Sequence, residues 1–427
     1  MGIKNLHTFL RKTCPHVYDE VHLSEYAYKK IGVDTAIYLC KFKTSIGPQW
    51  LNGFIDLCMI FRTYGIHPIF LFDNVFPPEK DEEKKRRSDA RKQQKTKMME
   101  LRDDWNRYRA DLVARNGPTE THCRMKDPNI PISLYAFLFK TFISSNSLEE
   151  DHDHRISIVD VDHEFIRIEN TMLQVDPHDY DLIRELLDVM KIPYVMAIGE
   201  AEAMGSYLCK LGKLDAVMTD DTDVLAYGCP TFLHKLDLSE HRCSRLVMDQ
   251  VLHALDMNKN TFLDFCILCG TDYNLNIPGI GYEKSYKILK AHHGCLEKVV
   301  EENQTVKNIL ERLDATAFPY HRVREMFLDE PDLSSMEIPW CDFPDWDAVV
   351  SFLFYHNCRS VDLNELYHSL FENGARFVFP EGKEEEEEPK EEENAFRTTT
   401  TINDHRRVNP SLSGVTSSLL RPRVRSK

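Results

Sequence analysis

The sequence predicts an α/β fold with a mainly parallel central sheet flanked by helices. Three β-branched, apolar runs each end on an aspartate: "KKIGVDTA" reaches Asp34, "IHPIFLFD" reaches Asp73 and "LDAVMTDD" reaches Asp221. Helical patterns separate them, because "QWLNGFIDLCMIFRTYG" and "YDLIRELLDVMKI" space their apolar residues at three and four. Strands that alternate with helices pair in parallel, and ligands of such sheets gather at the strands' carboxyl ends.

Taken in chain order, the first run and its aspartate lead into a helix, and the second follows the helix that closes on Gly65. Next comes "KKRRSDARKQQKTK", Lys84 to Lys97, with eight basic residues against Asp89, a local charge of +7. From Lys97 to about Asp176 the pattern blurs: "RNGPTETHCRMKDPNIPI" looks like loop, and "HRISIVDVDHEFIRIE" suggests an extra strand pair or hairpin. A short strand-like "PYVMA" precedes "GEAEAMGSYL", which puts Glu200 and Glu202 at a helix start, where the helix dipole favours negative charge. After Asp221 and Asp223, the stretch "CGTDYNLNIPGIGYEKSYKILK" contributes Asp272, then Gly279, Gly281 and Lys284 at the opening of another helix. A glycine turn before a helix exposes backbone N–H groups to a phosphate, so these three residues form a candidate backbone-phosphate clamp.

Composition narrows the function classes. Of 427 residues, 42% are hydrophobic and 29% charged, enough for a sizeable core with more than one lobe. No apolar run approaches a membrane span and "MGIKNLHTFLRK" has no signal-peptide core, so no membrane association is expected. Twelve scattered cysteines without framework spacing point to a reducing, intracellular compartment, and Cys266 and Cys269, in the apolar run "FLDFCILCG", read as core rather than zinc ligands. The net charge of −16 is uneven: Glu381 to Glu393 carries −7, Asn394 to Lys427 +6, and the rest −15. An acidic body bearing one basic run can hold a polyanion there while its acids do other work.

Asp34, Asp73, Glu200, Glu202, Asp221, Asp223 and Asp272 at one sheet edge could not persist as bare charge, because burial and like-charge neighbours raise carboxyl pKa values. Divalent cations resolve the conflict: all-oxygen ligation without His or Cys selects Mg²⁺, or Mn²⁺ in its place, over zinc, and two such ions can activate a water and hold a phosphate.

In order along the chain, "MGIKNL", "VDTA", "FLFDNVFPPEK", "IPYVMAIGEAEA", "TDDTDVLAYG" and "LCGTDYNLNIPGIGYEKSYKIL" resemble the motifs of flap endonucleases in the XPG nuclease superfamily. The likeness covers residue 1 to about Arg91 and about Asp179 to Phe371. It implies a PIN-like nuclease core, a helical cap and a helix–two-turn–helix element in a monomer, acting on flapped or branched DNA in the nucleus or, for a virus, the host nucleus or cytoplasm. By that likeness Asp34, Asp73 and Glu200 lean toward one ion, Glu202 lies between, Asp221 and Asp223 favour the other, and Asp272 completes the second side. Lys80 and Arg87 match the pair that contacts the scissile phosphate; seven residues apart, they share a helix face. The turn at Gly279 and Gly281 would grip duplex, with a monovalent cation.

The expected organisation is a nuclease region over 1–98, an enlarged cap over 99–176, a second nuclease region over 177–375, and an acidic linker with a basic tail over 376–427. Departures from the family are Asn74 where glycine is usual, an extra residue before Pro77, Tyr38 only four residues after the first aspartate where a base-stacking tyrosine is expected at six, and the longer cap. No sliding-clamp box is found in the tail, so clamp binding is not expected. Three competing readings are an RNA-cutting shut-off nuclease of the same superfamily, a haloacid-dehalogenase-type phosphatase suggested by Asp221-Thr222-Asp223, and a DNA-binding scaffold without activity. The intact glycine turn, Leu225 and the seven acids respectively speak against them.

Overall fold

Nine strands appear in the computed structural model, which describes residues 2–74, 78–143, 154–312, 318–358 and 361–372. They are β1 (Asp19–His22), β2 (Lys30–Asp34), β3 (His67–Phe72), β4 (His122–Arg124), β5 (Arg155–Ser157), β6 (Tyr194–Met196), β7 (Ala216–Met218), β8 (Thr231–Asp237) and β9 (Arg242–Val247). Seven make the main sheet in the order β1-β9-β8-β7-β2-β3-β6. The pairs β8·β7, β7·β2, β2·β3 and β3·β6 are parallel, whereas β9 pairs antiparallel with both β8 and β1. The sequence-based fold class is thus what forms: an α/β sheet, mostly parallel, with helices on both faces.

Burial explains why the central strands are continuous apolar runs. All six residues of β3 are buried, as befits a parallel strand covered on both sides. Side chains alternate: Ile69, Leu71 and Val217 enter one core with Met204, Leu208 and Phe265, while Phe70, Phe72 and Met218 enter the other with Phe42, Phe54 and Leu186. Gly32, inside β2, is closely packed: a Cβ there would fall 2.8 Å from Leu214 Cδ1, so that side chain would have to shift. Cys266 and Cys269 are buried in the helix Lys259–Cys269, in the first of these cores. Among the described residues, no helix is long and apolar enough to cross a membrane.

The insert differs from expectation in two respects. "HRISIVDVDHEFIRIE" is no hairpin: β5 is three residues long, pairs with β4, and gives way to the helix Ile158–Thr171. Its buried residues Ile158, Val161 and Phe165 fall at helical spacing, and that periodicity prevails over β-branched content. The boundary expected at 98/99 falls within one helix, Asp81–Asn116, about 54 Å long. Its first half carries the basic run; its second half supplies Trp105, Tyr108 and Leu112 to a separate apolar cluster with Cys123, Leu134 and Phe165. Asp162 ties this cluster together, accepting from Trp105 Nε1 at 2.8 Å and pairing with Arg102 and Arg109 at 3.1 and 2.7 Å. At the insert's exit, the buried Lys43 ammonium binds Gln174 O at 2.7 Å and pairs with Asp179. The expected linker and tail, 376–427, lie outside the described residues, as do positions 75–77.

Candidate active site

The strand order places β2 between β3 and β7, so the aspartates at their carboxyl ends become neighbours although distant in sequence. Asp34 ends β2 and caps the helix Thr35–Ile46, its Oδ1 accepting from Ile37 N at 3.1 Å. Asp73 follows β3 and accepts from Ala201 N at 2.8 Å. Glu200 is the N-cap of the helix Ala201–Lys210, and Glu202 lies in its first turn. Asp221 and Asp223 follow β7, and the Asp223 N–H donates to Asp221 Oδ1 at 2.9 Å. Asp272 lies beyond the helix Lys259–Cys269.

Five of these acids, Asp34, Asp73, Glu202, Asp221 and Asp272, line a cleft of about 140 Å³ together with Lys80, Lys84 and Arg87, while Glu200 and Asp223 are buried and do not line it. The cations come from the base of the helix Asp81–Asn116. Lys80 Nζ is 2.6 Å from Glu200 Oε1 and 3.8 Å from Asp272 Oδ2, and Arg87 donates to Asp272 Oδ1 at 2.8 Å. Burial works against the Lys80 ammonium, but Glu200, Asp223 and Glu202 more than offset it and raise its pKa.

Charge crowding shows in the carboxyls. Burial, then Asp73, pushes Asp34 up to about 7. Burial, then Asp34 and Asp221, drives Glu202 well above the usual range, and burial, then Asp221, does the same to Asp223. Asp73 and Asp221 are also raised, in each case mainly by burial. Both Asp223 oxygens are buried without a hydrogen-bond donor. A buried carboxylate left so is costly unless a cation meets it, and hard oxygen donors suit Mg²⁺ or Mn²⁺. Among the described residues, however, no three such side chains have drawn into a closed ligand set. The acids converge on one edge, with Lys80 and Arg87 holding two of them.

Four contributors lie within the quoted motifs but were given no role at the level of sequence. Thr219 Oγ1 donates to Asp34 Oδ2 at 2.7 Å and accepts from Asp221 N at 3.1 Å, so one hydroxyl orients two of the acids. Tyr273 and Tyr227 both reach Glu200 Oε2. Gly2, at φ +77°, packs so tightly that a Cβ would lie 2.1 Å from Asp221 Oδ1. Threonine at a strand end, tyrosine after Asp272 and glycine at position 2 carry no periodic signal. Tyr38 is core, buried against Phe42, and Cys40, six residues after Asp34, lines the cleft instead.

The glycine turn joins the helices Lys259–Cys269 and Tyr282–Ala291. Gly279 has φ +75°, a left-handed backbone that favours glycine, and Lys284 Nζ donates to its carbonyl at 2.9 Å. Gly281 has an ordinary φ of −90°, and a Cβ there meets open space. Nothing inside the protein therefore requires glycine at 281. Gly281→Val should leave the melting temperature within about 2 °C, since exposed substitutions in open space change little. It should still cut affinity for duplex several-fold, read by fluorescence anisotropy, if a phosphate approaches the backbone there. Unchanged affinity would show a turn with no ligand.

Residues 1–94 match the XPG N-terminal domain and residues 191–272 the XPG I-region. The chain is 32% identical over 323 residues to the "probable RAD2-like endonuclease 369L" of Invertebrate iridescent virus 6, covering 70% of this chain and 73% of that one. It is 27% identical to flap endonuclease 1 of Aspergillus clavatus, covering 83% and 80%. Among solved structures, the catalytic core of Rad2 in complex with DNA substrate aligns with a TM-score of 0.56 at 19% identity, over 87% of this chain and all of that one. Flap endonuclease-1 from Methanococcus jannaschii aligns at 0.51 and 19%, over 84% and 96%. With these motifs on one sheet edge and these relatives, the chain belongs to the XPG/flap endonuclease superfamily.

Proposed function

We propose that this chain is a divalent-metal-dependent, structure-specific nuclease that hydrolyses a phosphodiester in flapped or branched DNA. The observation that carries it is the buried Asp223 carboxylate, with neither oxygen given a donor, bonded through its backbone to Asp221, which lines a cleft with four further acids, Lys80 and Arg87. Asp34, Asp73, Glu200, Glu202, Asp221, Asp223 and Asp272 would hold two Mg²⁺. When bound, such ions supply charge neutralisation of the scissile phosphate and an acidified water.

The chain's own residues do the rest. Arg87, at 36% side-chain exposure, is open to a phosphate entering the cleft, where its planar fork suits two phosphate oxygens. Lys80, buried beside Glu200, offers a fixed positive charge where negative charge develops. Along the same helix, exposed Lys84, Lys85, Lys92, Lys95 and Lys97 attract the strand without reading its sequence. Gly279, Gly281 and Lys284 would grip the duplex backbone at a set distance from the acids. The DNA-bound relatives support this reading, among them human GEN1 in complex with Holliday junction DNA, with a TM-score of 0.54 at 18% identity.

The test is a panel of 5′-labelled flap, nicked duplex, four-way junction, single-stranded DNA and RNA, incubated with Mg²⁺. Expected is cutting near the branch of the flap or junction, with RNA and unbranched single strands at least tenfold slower. Equal or faster cutting of RNA would overturn the DNA assignment, and no cutting of any member would overturn the enzyme.

A further inference from the structure

We propose that Tyr273 is a positioning residue that sets two groups of the site at once: Glu200 through its hydroxyl and Lys80 through its ring face. The inference rests on the metal reading above and names a residue that reading does not use.

Tyr273 is nearly buried, at 6% exposure, and is fixed independently of the acids. Its N–H donates to Thr271 Oγ1 at 3.0 Å, and Thr271 Oγ1 in turn donates to Asn274 Oδ1 at 2.8 Å. Asn274 is anchored to the preceding helix through Ile267 O at 2.9 Å. The ring packs edge-on to Phe327 at 5.3 Å. With backbone and ring held, the hydroxyl oxygen is fixed in place, and it donates to Glu200 Oε2. The Tyr227 hydroxyl, 2.6 Å from that of Tyr273, lies 3.4 Å from the same oxygen. Two phenols therefore occupy Oε2, and Oε1 is the Glu200 oxygen left facing Lys80 at 2.6 Å. Glu200 is thereby turned into a one-oxygen donor of defined aim.

The other half of the inference is the ring. Lys80 Nζ sits 5.1 Å from the Tyr273 ring centroid, within cation–π range. The ammonium is thus bounded by Glu200 Oε1, Asp272 Oδ2 and an aromatic face, which keeps it in the cleft when the carboxylates turn to a metal.

The two halves separate by substitution. Tyr273→Phe keeps the ring and removes the hydroxyl, so Mn²⁺ affinity, read by electron paramagnetic resonance without substrate, should fall about 10- to 100-fold, as for other groups that orient metal ligands. Its single-turnover rate should fall in step at limiting metal and recover as the metal is raised. Tyr273→Leu removes both, and the saturating-metal rate should fall about tenfold further. Tyr227→Phe, which leaves the Tyr273 hydroxyl in place, should weaken Mn²⁺ only a few-fold, and provides the readout if Tyr273 variants lose their fold. Wild-type Mn²⁺ affinity in a folded Tyr273→Phe, or in Tyr227→Phe where that variant alone folds, would overturn the positioning role. A wild-type protein that binds no Mn²⁺ would instead overturn the metal reading beneath it.

Discussion

Asp223→Asn should lower single-turnover cleavage by about a thousandfold or more, the equivalent of roughly 4 kcal/mol of transition-state stabilisation, and should raise the melting temperature of the metal-free protein. Both effects come from one fact: Asp223 keeps two buried oxygens without donors beside Asp221. The amide removes a buried like charge, which favours the fold, and removes a ligand, which ends turnover. Such opposition between stability and activity is the mark of a functional site.

A pH dependence accompanies this. Asp34 is pushed up to about 7, above the value near 4 of an unfolded aspartate, so between these values the folded chain holds a proton that the unfolded chain has shed. Its contribution to stability is complete below about pH 4 and is lost as pH rises through about 7. Mg²⁺ should therefore raise the melting temperature more at pH 8 than at pH 5, where protons compete for the same oxygens. An equal rise at both would show that the ion binds elsewhere.

Lys43→Met should destabilise the protein by about 3–5 kcal/mol in denaturant unfolding, because it strands the buried Asp179 carboxylate. The pair joins the helix Thr35–Ile46, capped by Asp34, to the first turn of the helix Pro177–Val189, where Asp176 and Asp179 form a capping box. Lys43 also lies 5.6 Å from the Trp50 ring centroid. Lys43→Met with Asp179→Leu should recover part of the loss, since an apolar pair needs no compensation while the bond from Asp176 N to Asp179 is given up. A single-mutant cost under about 1 kcal/mol would mean that solvent reaches the pair.

Sequence alone was informative where one residue type answers to one physical demand. β2 and β3 are legible because strands buried on both faces must be continuously apolar, and their aspartates because the carboxyl edge is where such sheets can expose charge. Gly279 is legible because its left-handed backbone favours glycine. The helix Asp81–Asn116 was harder: through Lys97 it is polar on every side, so no periodic stripe marks it, and the apolar residues that pack the insert begin at Met98. The helix Ile158–Thr171 was misread because Ile158, Val159 and Val161 satisfy strand preference locally while the contacts with Trp105 and Leu134 that decide the matter are distant. Thr219 and Tyr273 act across separations of 185 and 73 residues, which no local pattern reports.

The most direct measurement is the single-turnover rate on a 5′-labelled flap as free Mg²⁺ is raised from zero, set by excess chelator, for the wild type and for Asp223→Asn. A carboxylate-held metal site predicts no cleavage in chelator, a rate that rises with Mg²⁺ and saturates, and a variant about a thousandfold slower at every concentration. Full turnover by the wild type in excess chelator, or by the variant at saturating Mg²⁺, would contradict it.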